Sequence, residues 1–280
     1  MTRFLTLRTH DKGGSVHYPQ AVDCDPAIQP LAYQPVSETE VRASVENKHV
    51  VLAIHGFNVS RPHGVGSLAA LETALALQPN DYAFFGVLWP GDFWLPVVDY
   101  PFEAAHAVTA GQKLATYVAD FFGLAQSISF ISHSLGGRVL LEAIQDMKRP
   151  ADQVCIAAGA VDRDCLVKQY LGAGKNAARI AVLSSKKDQV LKLAYPAGDF
   201  ISDVLLGDND SPWMIALGLK GPPPPVLAPL FGNAIPVNLA YDHGDYFPPS
   251  SGIPPAPGKW TDAVRYMRRI VTRDTAAWPP

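Results

Sequence analysis

The chain has 280 residues, 48% of them hydrophobic and 18% charged, a composition that excludes a disordered, highly charged chain and supplies enough apolar surface for a large core. Its formal net charge is -3, so electrostatics recommend neither a nucleic acid nor an anionic membrane as partner. Cys24, Cys155 and Cys165 are too few for a disulfide framework and stand outside a C-x-x-C spacing; with no signal-peptide pattern at the start, a reducing, cytoplasmic setting is expected.

In chain order, "RFLTLRTH" reads as an antiparallel edge strand, and "LAYQPVSETEVRASVENKH" as a turn and short helix leading into a sheet. From His49 onward, short apolar runs alternate with longer periodic ones. "HVVLAIHG" is a strand, Gly64 to Leu77 a helix, Tyr82 to Pro90 a strand, and Glu103 to Phe122 a helix with Gly123 beyond it. "SISFIS", a helix from Gly136, "QVCIAAGAV" and "ARIAVLSS" continue the alternation. The strands are nearly continuous apolar runs, as expected when helices cover both faces of a parallel sheet. No window has the roughly eighteen apolar residues of a membrane span.

Residues 195–259 differ in kind, being rich in Pro and Gly and including "GPPPP". Recurrent proline argues against a central strand or long helix there. Phe200, Val204, Leu205, Leu206, Trp213, Met214, Ile215 and Leu217 are too apolar for a solvated tether, so an ordered cover over one end of the sheet is expected. "TDAVRYMRRIV" is a helix with Thr261 as its N-cap, and the tail "AAWPP" is expected to fray.

Chemistry concentrates at "SFISHSLGGRVLLEA", Ser129 to Ala143. Ser134 stands between a strand and a helix with Ser132 two before and Gly136 two after, one substitution from the G-x-S-x-G elbow that presents a serine nucleophile at the carboxyl edge of a sheet. The bland alternative is a serine capping the helix. "AIHGFNVS" leaves an earlier strand at the same edge, so the backbone N–H groups of Phe57 and Leu135 are the expected oxyanion donors. His55 reads as a neutral histidine holding that loop. Two acids follow strands, Asp188 after "IAVLSSKK" and Asp162 after "CIAAGAV". Asp188 is favoured because it follows the penultimate strand, and Asp162 is the alternative. One histidine follows them, His243 in "VNLAYDHGDYF", which makes it the expected base. Asp242 and Asp245 flank it, but without an H-E-x-x-H pattern or a second nearby histidine no metal is expected, and no motif calls for a cofactor. His133 is expected to pack behind the nucleophile.

"VLAIHGFNVS", "FGVLWPGD", "FISHSLGGRVLLEA" and "IAVLSSKKDQVLKL" together resemble the α/β-hydrolase superfamily, in particular a poorly characterised group of microbial serine hydrolases with H-G-[FY]-N, W-P and H-S-[LM]-G motifs. The similarity spans roughly Val50 to Leu193, with "YDHGDYF" a weaker match. It implies an α/β-hydrolase fold, a mostly parallel sheet with helices on both faces, read here as one domain over 1–280 with the Pro-rich cover within it. It implies Ser134, Asp188 and His243 as catalytic residues, with His55, Gly56, Phe57 and Asn58 shaping the oxyanion loop and Trp89, Pro90 and Gly91 a turn near the pocket. The expected activity is hydrolysis of a modest-sized carboxylic ester through an acyl-enzyme. An amidase, a thioesterase or a non-catalytic binding protein of the same fold are the alternatives. Phe93 and Trp94 are read as part of an acyl-binding surface. Ser132 departs from the glycine usual two residues before the nucleophile and makes the elbow tighter.

Overall fold

Runs such as "HVVLAI" and "SISFISH" are apolar on both faces of an extended chain, and such strands are stable when buried from both sides. The computed structural model describes residues 1–92, 100–193, 215–226, 228–250, 255–274 and 277–279, with the backbone alone for 100–104. Its strands are β1 (Thr2–Thr6), β2 (Gln20–Cys24), β3 (Gln34–Pro35), β4 (His49–Ile54), β5 (Tyr82–Leu88), β6 (Ser127–His133), β7 (Ala151–Ala157), β8 (Ala177–Ser184) and β9 (Leu230–Ala234). They form one nine-stranded sheet in the order β3-β2-β1-β5-β4-β6-β7-β8-β9. The pairs from β1–β5 through β8–β9 are parallel, while β1–β2 and β2–β3 are antiparallel.

The helices used below are α1 (Glu38–Val45), α2 (Arg61–Leu75), α3 (Tyr100–Phe121), α4 (Gly136–Asp146), α5 (Leu171–Lys175), α6 (Gln189–Leu193), α7 (Leu217–Lys220) and α8 (Lys259–Val271). The chain steps from β4 through α2 to β5 in one direction across the sheet, then from β5 through α3 to β6 in the other. Right-handed crossovers therefore put α2 on one face and α3 with α4 on the opposite face. The exits of β4 and β6 are neighbours that lead away to opposite faces, which opens a crevice at their carboxyl ends.

Several expectations change. β1 is not an edge strand: it lies between β2 and β5, and Phe4, Leu5 and Leu7 are fully buried. The edge is β3, a two-residue strand. The last helix begins at Lys259 instead of being capped by Thr261; Thr261 lies in its first turn, and its Oγ1 accepts the Gly258 N–H at 3.2 Å. Trp278 does not fray, since its large ring packs edge-on to Tyr241 and Tyr266 at 5.4 and 6.1 Å. The described part of the Pro-rich segment contributes the short helix α7 and the strand β9, and β9 takes an edge position where proline-flanked chain is tolerated. Phe93, Trp94, Phe200, Val204, Leu205, Leu206, Trp213 and Met214 lie outside the described residues. No helix among the described residues is long and apolar enough to cross a membrane.

Because β1 is interior, Leu5→Ala is expected to destabilise the protein by about 2–5 kcal/mol in urea unfolding. A loss under about 1 kcal/mol would return β1 to the periphery.

Candidate active site

Parallel pairing of β4 with β6 ends at Ile54 opposite Ser132. Continuing that register places Gly56 beside Ser134. A Cβ on Gly56 would stand 2.8 Å from the Ser134 Cβ, and one on Gly136 would collide with the His55 carbonyl. Both glycines thus permit a close approach that any larger residue would block. Ser134 itself has φ 54°, in the left-handed region that costs a non-glycine residue about 1–3 kcal/mol. Its backbone is tied down by Ser134 N–H donating to Ala157 O at 3.1 Å, while Ser134 O accepts from Gly137 and Ala160 at 3.0 and 3.1 Å. α4 then starts at Gly136, aiming the positive end of its dipole at the turn.

Ser132 is fully buried, and among the described residues its Oγ has no hydrogen-bond partner. The elbow thus forms around a hydroxymethyl group in place of the usual glycine hydrogen, and the hydroxyl is left without compensation for its lost water.

Two turns from distant parts of the chain meet at Ser134. Asp188 follows β8, is fully buried, and accepts the Leu191 N–H on Oδ1 at 2.9 Å. His243 lies in a single 3-10 turn, His243–Asp245, with its side chain 15% exposed. Its Nδ1 is 2.8 Å from Asp188 Oδ2, and its Nε2 is 2.8 Å from Ser134 Oγ. The carboxylate accepts at Nδ1, so Nδ1 carries the proton and Nε2 is free to accept from the serine hydroxyl. Asp162, the alternative acid, follows β7 and forms an isolated bridge with Ala216; the imidazole is paired with Asp188.

The loop after β4 carries the remaining candidates. His55 is buried, and its Nδ1–H donates to Gly56 O at 2.9 Å. Burial pushes its pKa down to about 3, which keeps the ring neutral. Trp89 stacks on it, ring centroids 5.8 Å apart, and donates Nε1–H to His55 O at 2.9 Å. A Cβ on Gly91 would stand 2.6 Å from the Trp89 ring, so Gly91 lets the chain fold over the indole. Asn58, at φ 55°, donates its N–H to Gly91 O at 2.6 Å. Phe57, between Gly56 and Asn58, is therefore held next to the elbow, as Leu135 is by its position after Ser134.

One supporting group, Arg8, was not signalled by any motif. Arg8, with no exposed side-chain surface, forms an ion pair with Asp92 at 2.5 Å. The guanidinium also donates to Val59 O at 3.1 Å, Trp89 O at 3.3 Å and His10 O at 2.9 Å. It thereby ties the "WPGD" turn to the loop after β4. Desolvation lowers the pKa of Arg8 and raises that of Asp92, each against the attraction of its partner. His133 donates Nε2–H to the His243 carbonyl at 2.8 Å, its ring 4.8 Å from the His243 ring. Burial, then the nearby His243, pushes its pKa down to about 3. Cys24, Cys155 and Cys165 are buried free thiols with raised pKa values, about 12 for Cys155, and so are poor nucleophiles. No group of three or more His, Cys, Asp or Glu suited to a metal occurs among the described residues.

Residues 34–201, more than half of the chain, match the family described as "Alpha/beta hydrolase of unknown function (DUF900)". The chain belongs to that family. No curated protein matches this alpha/beta hydrolase. Among solved structures it is similar to an uncharacterized protein from Bacillus cereus ATCC 10987, with 12% identity, TM-score 0.46, and 82% of this chain aligned to 61% of that one. It therefore spans under two thirds of that protein's length. Esterase PE8 has 15% identity and TM-score 0.44, with 81% of this chain aligned to 94% of that one. The hyperthermophilic esterase from the archaeon Pyrobaculum calidifontis has 12% identity and TM-score 0.44, with 95% aligned to 84%.

Within the alpha/beta hydrolase, the two small residues around the elbow should respond in opposite ways. Ser132→Ala removes an uncompensated hydroxyl and is expected to leave stability unchanged or raise it by up to about 1 kcal/mol in urea unfolding; a loss beyond about 1 kcal/mol would reveal a partner for Oγ. Gly56→Ala drives a methyl into the Ser134 Cβ. Its expected signature is a loss of at least about 1 kcal/mol of stability, and wild-type stability would show that the two loops part freely.

Proposed function

We propose that the protein is a serine hydrolase that cleaves a carboxylic ester of modest size through an acyl-enzyme. The observation that supports this reading is the hydrogen-bonded series Ser134 Oγ to His243 Nε2, and His243 Nδ1 to Asp188 Oδ2, with both contacts at 2.8 Å. Ser134 Oγ attacks the ester carbonyl carbon while His243 Nε2 takes the hydroxyl proton, and Asp188 stabilises the resulting imidazolium without itself becoming protonated. The carbonyl oxygen gains negative charge in the tetrahedral intermediate. The Phe57 and Leu135 N–H groups receive it, each such donor contributing about 3 kcal/mol to the transition state.

When the intermediate collapses, His243 passes its proton to the departing alkoxide and the acyl group remains on Ser134. Water then attacks the acyl carbon with His243 again as base; the carboxylic acid leaves and the proton returns to Ser134. The neutrality of His55 and His133 fits this scheme, because neither competes for the proton. The partner is accordingly a small ester or acyl compound, with no cofactor in the reaction.

The test is labelling with a fluorophosphonate together with turnover of p-nitrophenyl esters of increasing chain length. Ser134→Ala is expected to abolish labelling. It should also lower kcat by at least about 10^3-fold, with Asp188→Asn lowering it substantially and Asp162→Asn leaving it near the natural value. A folded natural protein that neither labels nor turns over any ester would instead favour a non-catalytic binding role. A larger fall for Asp162→Asn than for Asp188→Asn would reassign the acid.

A further inference from the structure

The turn carrying His243 is joined to the turn carrying Asp188 by a second carboxylate. Asp242 Oδ1 accepts the His243 N–H at 2.8 Å and the Gln189 N–H at 2.8 Å. One oxygen thus binds the main chain of His243 and that of the residue immediately after Asp188. Asp242 is exposed, and these donors, Gln189 foremost, hold its carboxyl below the usual carboxylate range. Its own N–H donates to Asp245 Oδ2 at 2.8 Å, and Asp245 Oδ2 is paired with Lys259 Nζ of α8 at 3.0 Å. The other side of His243 is fixed as well, since His133 holds its carbonyl. Exposed carboxylates seldom contribute much to global stability, so a two-point tie between these two turns calls for another explanation.

We propose that Asp242 is a positioning residue that sets the separation of His243 and Asp188 by clamping the Gln189 and His243 amides on one carboxylate oxygen. The inference rests on the serine-hydrolase reading above. Asp242 acts through the backbone that carries the base and the backbone that follows the acid. A general base must lie within hydrogen-bond reach of the proton it takes, and a displacement of about 1 Å costs on the order of a hundredfold in rate. Asparagine keeps an acceptor oxygen at the same place, whereas alanine removes it.

The deciding measurement is steady-state hydrolysis of p-nitrophenyl butyrate by the full chain, with the fluorophosphonate labelling rate measured in parallel. Asp242→Ala is expected to lower kcat and the labelling rate by about tenfold or more while KM stays within about twofold, and Asp242→Asn to recover kcat to within about threefold of the natural protein. If Asp242→Ala does not fold, Gln189→Pro decides the matter: it removes one donor at the first position of α6, where proline is tolerated, and is expected to lower kcat with the same unchanged KM. Natural kcat in Asp242→Ala, or in folded Gln189→Pro, would overturn the clamp. An Asp242→Asn protein as slow as Asp242→Ala would also overturn it, because charge and not geometry would then be at work. These failures occur in a natural protein that labels and turns over ester. A natural protein that does neither would overturn the serine-hydrolase reading and the clamp with it.

Discussion

The close approach of two strand exits governs the rest of the site. β4 and β6 are hydrogen-bonded neighbours through Ile54 and Ser132, and beyond them their chains must part toward opposite faces of the sheet. The parting is so tight that the Ser134 side chain lies against a position where only a hydrogen fits, at Gly56. Ser134 consequently adopts a left-handed backbone, a conformation that persists only when surrounding bonds over-determine it. Those bonds come from the end of β7, the loop that follows it and the start of α4. One steric constraint thereby lifts the serine out of the sheet and starts the helix beneath it.

Around this turn the protein separates structural ionisable groups from the pair that meets the serine. His55 and His133 are kept neutral by burial, and each spends a ring N–H on a backbone carbonyl. Arg8 and Asp92 are kept as a buried ion pair whose desolvation is offset by mutual attraction and by carbonyls of the loops they join. Each of these groups holds backbone. Asp188 and His243 instead hold one another, and they leave the second imidazole nitrogen facing Ser134.

The central strands were legible because burial on both faces leaves continuous apolar runs, and β4 to β8 fall where those runs lie. The place of β1 was not legible, since "RFLTL" states that it is buried without stating beside which strand. Sheet order is a non-local property. Thr261 shows the limit of a local cap rule: α8 extends one turn further back, and the threonine serves Gly258 from inside the helix. Trp278 shows another, because a single large ring in a polar, Pro-rich tail finds apolar partners far away in sequence. In the site, Ser134 and Asp188 were visible as residues at strand exits, and His243 through its place after them in the chain. Arg8 gave no signal, and Asp242 was visible only as a flank of His243. Their partners are main-chain groups, which look the same in any sequence.

His243 presents the harder placement. It is 55 residues beyond Asp188 and 109 beyond Ser134, and it sits in a three-residue turn with no strand ending at it. The entropy of closing such long loops grows only slowly with length, so bringing the histidine near is affordable, but fixing its direction needs bonds of short reach. The segment supplies several of them itself. Asp242 and Asp245 bond each other's neighbourhood within "YDHGDYF", Ser185 Oγ donates to Tyr241 O at 2.8 Å, and Lys259 reaches back from α8 to Ala240 O at 2.6 Å. The serine derives its orientation from the sheet, whereas the histidine derives its orientation from polar side chains bound to backbone. Substitutions in the sheet core should therefore act mainly through folding, and substitutions in the histidine turn through alignment.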